Sequence, residues 1–333
     1  MLMEAIFLKN IKVTGLFGYK NLSWDVCQDV NILGGDNGSG KSSLFQICHL
    51  LIAVGYINDE RYARLVRTVE LTFTNGYILK WDKVRTTKDS EREAGYSYFS
   101  LEGTSIEKDG TFVVQRVQVK DSYGNIAELD DIVAKVGTSH LSAYEQNILD
   151  SQKVGKEKES EDRTYLDRLL TSYISYRNTR VSQILINSLS NGNQGGDGEH
   201  RFVIDKKDAE YILLFNEALK VFFGDNYQVK AGMEAQISMT SKKTGELIKY
   251  QDLSLGEKEV LLLIVFISNT FDEPVLVWLD EPDLGLHVDW QEKLIGCLRR
   301  LNPNMQLFVS THAPSMVEGN QERVKEMSEI TIG

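Results

Sequence analysis

The stretch "GGDNGSGKSSL", residues 34–44, fits the pattern G-x-x-x-x-G-K-[ST] at every fixed position from Gly35 to Ser42. Gly35, Gly38 and Gly40 let the backbone curl so that successive N–H groups point inward at phosphate oxygens. Asn37, Gly38, Ser39, Gly40, Lys41, Ser42 and Ser43 are therefore the candidate nucleotide-binding residues. Lys41 is placed to reach the β- and γ-phosphates, and the Ser42 hydroxyl to ligate magnesium. The flanks supply the context such a loop needs. "AIFLKNIKVTGLFGYKNLSWDVCQDVNILGG" predicts two or three short strands before it. "SSLFQICHLLIAVG" predicts a helix after it, with Leu44, Phe45, Cys48, Leu51 and Ile52 on one side. A glycine-rich turn before a helix would match the glycines but gives no reason for Lys41-Ser42.

Three later stretches complete the chemistry. In "PVLVWLDEP", Val275 to Leu279 form an apolar run suited to a strand covered on both faces. Two carboxylates follow at the end where parallel sheets bind ligands. Asp280 is placed to hold the magnesium shell, and Glu281 to polarise the attacking water as general base. In "LSLGEKE", Ser254 and Glu257 make a capping box. A helix starting at Ser254-Leu255-Gly256 offers an anion a hydroxyl, free N–H groups and a dipole. That end has a use only if it meets a nucleotide held by another copy of the chain. In "FVSTHAP", His312 falls just past a strand and is a candidate γ-phosphate contact.

Bulk properties narrow the class. The chain has 333 residues, 42% hydrophobic and 26% charged, as in an ordinary globular protein. A formal charge of −11 argues against a chain that coats nucleic acid non-specifically, but leaves room for a local basic patch. Arg61, Arg64 and Arg67 recur every three residues, as if along one helical face, and Lys80, Lys83 and Arg85 lie in the hairpin beyond; the pattern reads first as a solvated charged surface, with DNA as a weaker candidate partner. Cys27, Cys48 and Cys297 lack paired spacing and read as reduced thiols. The N-terminus has no secretory core, and the apolar run "VLLLIVFI" at 260–267 is far below the roughly 20 residues a bilayer demands. A cytoplasmic protein without a membrane partner is expected. Residues 68–120 predict antiparallel strands with a turn at Asn75-Gly76, 153–190 a charged helix, and the tail a helix–strand alternation. The expected division is an N-terminal ATPase lobe (1–150), an inserted helical lobe (151–225) and a C-terminal ATPase lobe (226–333).

Phosphate loop, "LSLGE", "VWLDEP" and "STHAP", in that order, resemble the ABC-type ATPase class. The opening "LKNIKV…FGY…NILGGDNGSGKSSL" resembles the branch containing RecF, SMC and OLD-family ATPases. "DEPDLGLH" followed by "QEKL" is closer to the OLD-like pattern, with Asp283 and Val288 in place of its usual Glu and Pro; Leu255 replaces the first glycine of the L-S-G-G signature. The resemblance covers residues 3–55 and 250–315. It implies an α/β P-loop NTPase, an ABC-ATPase-like head with a mixed sheet and an inserted helical lobe, using ATP and Mg2+. It further implies a head-to-tail homodimer, or a higher homo-oligomer, with ATP sandwiched between protomers. Ser254, Gly256 and Glu257 of one copy would then face the γ-phosphate held by Lys41 and Ser42 of the other. Lys41, Glu281 and His312 would be catalytic, and Ser42, Asp280 and a glutamine would attend the metal. Gln146 is the candidate glutamine, with Gln115, Gln118 and Gln152 as alternatives. Asp283 to His287 would cross between the sites, and Tyr19 is a candidate to stack on adenine.

The Lys41-to-Ser254 separation is too long for a transporter's nucleotide-binding subunit, and no sustained heptads suggest an SMC-like coiled coil. No nuclease constellation stands out, and no nuclease domain is expected after His312. The sequence reads as an ATP-gated switch that controls a separately encoded effector, with a nuclease as the candidate, in anti-phage defence or DNA repair. The alternatives are a subunit energising a transporter and a non-hydrolysing ATP-dependent scaffold.

Overall fold

In the computed structural model, residues 5–87, 93–100, 111–142, 165–192, 204–230 and 237–332 are described. The chain opens with β1 (Leu8–Leu16), β2 (Lys20–Asp25) and β3 (Val30–Gly34), then α1 (Lys41–Val54) and α2 (Glu60–Leu65). An antiparallel run follows: β4 (Thr68–Phe73), β5 (Ile78–Thr87), β6 (Ser97–Ser100), β7 (Thr111–Lys120) and β8 (Ile126–Ala127). After α3 (Asp130–Val133) comes β9 (Gly137–Ser142), and then two long helices, α4 (Tyr165–Gly192) and α5 (Lys206–Phe223). The short strands β10 (Tyr227–Lys230), β11 (Ser238–Ser241) and β12 (Leu247–Ile248) lead to α6 (Leu255–Ser268), β13 (Val275–Asp280), α7 (Val288–Leu301), β14 (Met305–Ser310) and α8 (Pro314–Val317). The last strands are β15 (Val324–Glu326) and β16 (Thr331–Ile332).

Two sheets do most of the organising. One has the order β15-β3-β14-β13-β9, with every pairing parallel. All six residues of β13 and all six of β14 are buried, which is why β13 is apolar from Val275 to Leu279 and β14 from Leu307 to Val309. Their alternate side chains feed different cores. Leu276, Trp278 and Phe308 join α1 and the antiparallel sheet, whereas Val277, Leu279, Leu307 and Val309 join α4, α5, α6 and α7. Trp278 and Phe308 stack at 4.0 Å, and Phe45 of α1 meets Trp278 edge-on at 5.3 Å. The other sheet, β16-β2-β1-β4-β5-β7-β6 with β8 on β7, is antiparallel and buries one face, so β4 alternates half-buried and buried residues.

The segment 151–225 contributes α4 and α5, whose apolar faces enter the same core as α6 and α7. Polar links tie α4 to the region around α6, among them Lys258 to Asp167 at 2.9 Å, Tyr250 to Thr171 at 3.0 Å, and Asn269 to the Tyr173 carbonyl at 3.2 Å. A buried glutamine joins the two sheets. Gln306 on β14 accepts from Leu8 N at 2.8 Å and donates to the carbonyls of Leu8 and Cys27. Cys48 and Cys297 are buried free thiols, and burial pushes the Cys297 thiol up to about 11. Among the described residues no helix is long and apolar enough to cross a membrane.

Candidate nucleotide site

Strand β3 ends at Gly34 and α1 begins at Lys41, so residues 35–40 form the turn between them. Gly35, Gly38 and Gly40 all take positive φ, at 133°, 72° and 110°. Gly40 needs glycine twice over, because an added Cβ would also lie 2.9 Å from the Phe17 ring. The Lys41 side chain is buried and folds back into the loop. Its Nζ donates to the Gly35 carbonyl at 2.7 Å, the Asp36 carbonyl at 3.3 Å and His312 Nε2 at 2.7 Å. Burial lowers its pKa, opposed by the nearby charges of Glu281 and Asp280.

The parallel register brings the other groups to this point. Asp280 pairs with Ser310 on one side and Ser142 on the other, all at the carboxyl ends of their strands. Asp280 Oδ1 accepts from the hydroxyls of Ser42 (2.9 Å) and Ser310, and Oδ2 from Ser142 at 3.4 Å. Ser42 and Asp280 are hard oxygen donors in contact, a pair that suits Mg2+ completed by phosphate oxygens. Among the described residues, no group of three or more His, Cys, Asp or Glu gathers around a metal position. Glu281 is buried and takes φ 51°, a left-handed conformation unusual for a residue with a side chain. Its N–H is held by Ser310, at 3.0 Å from the carbonyl and 3.1 Å from the hydroxyl. The resulting kink aims its carboxylate back at the site, where Oε1 lies 3.5 Å from His312 Nε2. Such strain, of order 1–3 kcal/mol, persists where the surroundings over-determine it.

Lys41, Ser42, Asp280, Glu281 and His312 are thus brought together. Ser254, Gly256 and Glu257 form a separate cluster at the start of α6. Glu257 Oε2 accepts from Ser254 N at 2.8 Å and from Ser254 Oγ at 2.7 Å, and its Oε1 accepts from the Tyr227 hydroxyl at 2.9 Å. Ser254 and Leu255 are exposed to solvent. Gly256 has a structural role of its own: a Cβ there would lie 2.6 Å from the Gly285 carbonyl, so the Asp283–His287 stretch packs on the helix start. Asp283 is buried, and desolvation raises its carboxyl.

Gln146 and Gln152 lie outside the described residues. Gln115 is committed elsewhere, bonding the backbone of Ile57 and the Trp81 indole, and Gln118 is a buried residue of β7. Tyr19 is 72% exposed on the β1–β2 turn, next to Lys20, whose Nζ donates to the Ser39 carbonyl at 2.8 Å. The three arginines do not share a helical face. Helix α2 ends at Leu65, which leaves Arg67 outside it, while Arg61 pairs with Asp59 and Arg64 with Glu60. Sequence reasoning missed Ser142, Ser310 and Tyr227. Only Ser310, two residues before His312 at a strand end, carried a signal that could have found it.

The chain is similar to known proteins. The family described as "AAA domain, putative AbiEii toxin, Type IV TA system" matches residues 30–318. A Retron Vc95 probable ATPase from Vibrio cholerae is 30% identical over 142 residues, a match covering 38% of this chain and 28% of that protein. The Septu protein PtuA of Bacillus thuringiensis is 25% identical over 340 residues, covering 94% of this chain and 73% of that one. Among solved structures, an SMC head bound to the C-winged helix domain of ScpA aligns with a TM-score of 0.53 at 14% identity. That alignment covers 94% of this chain and 92% of the SMC head, a likeness of fold.

Proposed function

The chain belongs to that AAA-domain family, and from this premise we propose that it is an ATP-hydrolysing switch subunit that dimerises around ATP and controls a separate effector protein. One observation carries the reading. The groups suited to a triphosphate and its metal, Ser42 among them, cluster around Asp280, whereas Ser254, bonded to Glu257, is exposed at the start of α6. A nucleotide held by Lys41 and Ser42 of one copy would bind the Ser254 end of a second, adding contact energy available only to the closed dimer. Glu281 would take the proton of the attacking water, Lys41 and His312 would hold the γ-phosphate, and Gln146 would attend the metal. Magnesium, when bound, would neutralise phosphate charge beside Ser42 and Asp280. Hydrolysis would remove the bridge and reset the switch.

A setting in anti-phage defence fits two relatives named as a retron ATPase and a Septu protein, and a nuclease is the effector class proposed. DNA stays a secondary candidate partner: Lys83 bonds the carbonyls of Arg64 and Arg67, which places three basic residues together, one of them, Arg64, already paired with Glu60. The test of the switch is Glu281→Gln in saturating Mg-ATP, followed by light scattering on a sizing column. Turnover should fall at least about a hundredfold while a stable nucleotide-bound dimer accumulates. A Glu281→Gln protein that binds ATP yet stays monomeric would overturn the sandwich.

A further inference from the structure

Gly34 is not explained by the phosphate loop. It precedes the first fixed glycine, closes β3, and is absent from the positive-φ positions. It lies under the flexible carboxylate end of an exposed side chain, Glu326, whose Cδ would be 2.9 Å from a Cβ built on Gly34. Strand β15 pairs Glu326 in register with Gly34, so the carboxylate is held against the rim of the phosphate loop. Its charge reaches Lys41. By itself, a carboxylate there repels a polyphosphate. It becomes favourable only by accepting a hydrogen bond from a neutral, donor-bearing part of the ligand.

The surroundings offer room for such a part. A cavity of about 530 Å3 opens beside the loop, lined among others by Lys20, Ser39, Glu326, Met327, Ser328 and Thr331. That volume suits a nucleoside. Met327 is buried, and added Cβ atoms on Gly35 and Gly40 would meet it at 2.9 and 3.5 Å, so it backs the loop with an apolar surface. The bond from Lys20 to the Ser39 carbonyl joins two of the lining residues.

Resting on the ATP reading above, we propose that this cavity takes the nucleoside end of the nucleotide and that Glu326 accepts a hydrogen bond from a ribose hydroxyl. Glu326 is then the residue that selects ribonucleotides. An acidic side chain receiving a ribose hydroxyl is established chemistry in other nucleotide-binding folds.

The test is calorimetric titration of the full chain with Mg2+ and ATP, 2′-deoxy-ATP, 3′-deoxy-ATP or inorganic tripolyphosphate. The same series is run on Glu326→Ala and Glu326→Gln, with thermal melts to establish folding. The wild type should bind ATP about tenfold more tightly than at least one deoxy analogue, the scale of a hydrogen bond to a charged group. Glu326→Ala should lower ATP to the affinity of that analogue without weakening the analogue itself. Glu326→Gln, which keeps an acceptor, should retain part of the preference. Two results would overturn the assignment: equal binding of all three nucleotides by the wild type, or tighter ATP binding by Glu326→Ala, the outcome of charge removal alone. A wild type that binds neither ATP nor tripolyphosphate would remove the ATP reading together with this one.

Discussion

Around Asp280, three serine hydroxyls from β9, β14 and α1 converge on one carboxylate, inside a sheet end buried on both faces. At the start of α6, Ser254 is exposed, and its hydroxyl is held by a single side chain of its own helix, Glu257. The first region is fixed by tertiary register: shift β13 by one residue and Asp280 leaves both Ser142 and Ser310. The second is fixed by local capping, with Tyr227 as an outside support. A group that must be in place before a ligand arrives is over-determined here. A group proposed to find its partner on another copy is held lightly and left open.

The sharpest way to break this contrast is to perturb each end separately. Gly40→Ala forces a side chain into φ 110° and onto Phe17. It should cost about 1–3 kcal/mol of stability and weaken ATP binding by two orders of magnitude or more, by calorimetry. Unchanged affinity would show that the loop is not the phosphate cradle. Glu257→Ala removes the carboxylate that holds Ser254 and Tyr227. It should cost about 0.5–2 kcal/mol, leave ATP affinity of the monomer intact, and abolish ATP-dependent dimerisation in a Glu281→Gln background on a sizing column. Loss of monomer binding instead would mean that the two regions are not independent.

A third expected effect depends on pH. His49 on α1 and His140 on β9 stack at 5.6 Å between these elements, and burial pushes both down to about 4, His49 also feeling His140. A base whose folded pKa lies below its unfolded value adds stability above the unfolded pKa and loses it as pH falls. The fold should therefore lose stability between about pH 6.5 and pH 4 as the unfolded chain takes up protons. Denaturant midpoints measured across this window should fall, and imidazole NMR shifts should show both rings still neutral at about pH 5.5. Rings already charged at that pH would remove this contribution.

Much of the site was legible because its chemistry demands particular residues at short range. The loop at 35–42, the Asp280-Glu281 pair at a strand end, and Ser254 three before Glu257 each carry their reason within a few positions. The arginine series misled because a three-residue period says nothing of where a helix stops. Val66 is extended, and α2 ends before Arg67. Strand β9 stayed hidden because "GTSHLS" carries no motif. Its place beside β13 follows only from pairing across 138 positions, as between Ser142 and Asp280.

The sequence alone determined that a phosphate loop, two acids, a capped helix and a histidine occur in the order of an ABC-type head, since each is a local pattern of residue types. Only the tertiary structure decided which of them meet. Lys41 finds His312 across 271 positions, Glu281 takes its strained φ because Ser310 holds its N–H, and Glu326 pairs in register with Gly34 at the rim of the phosphate loop. Contacts between residues so far apart along the chain arise from sheet register and close packing, which no local pattern encodes.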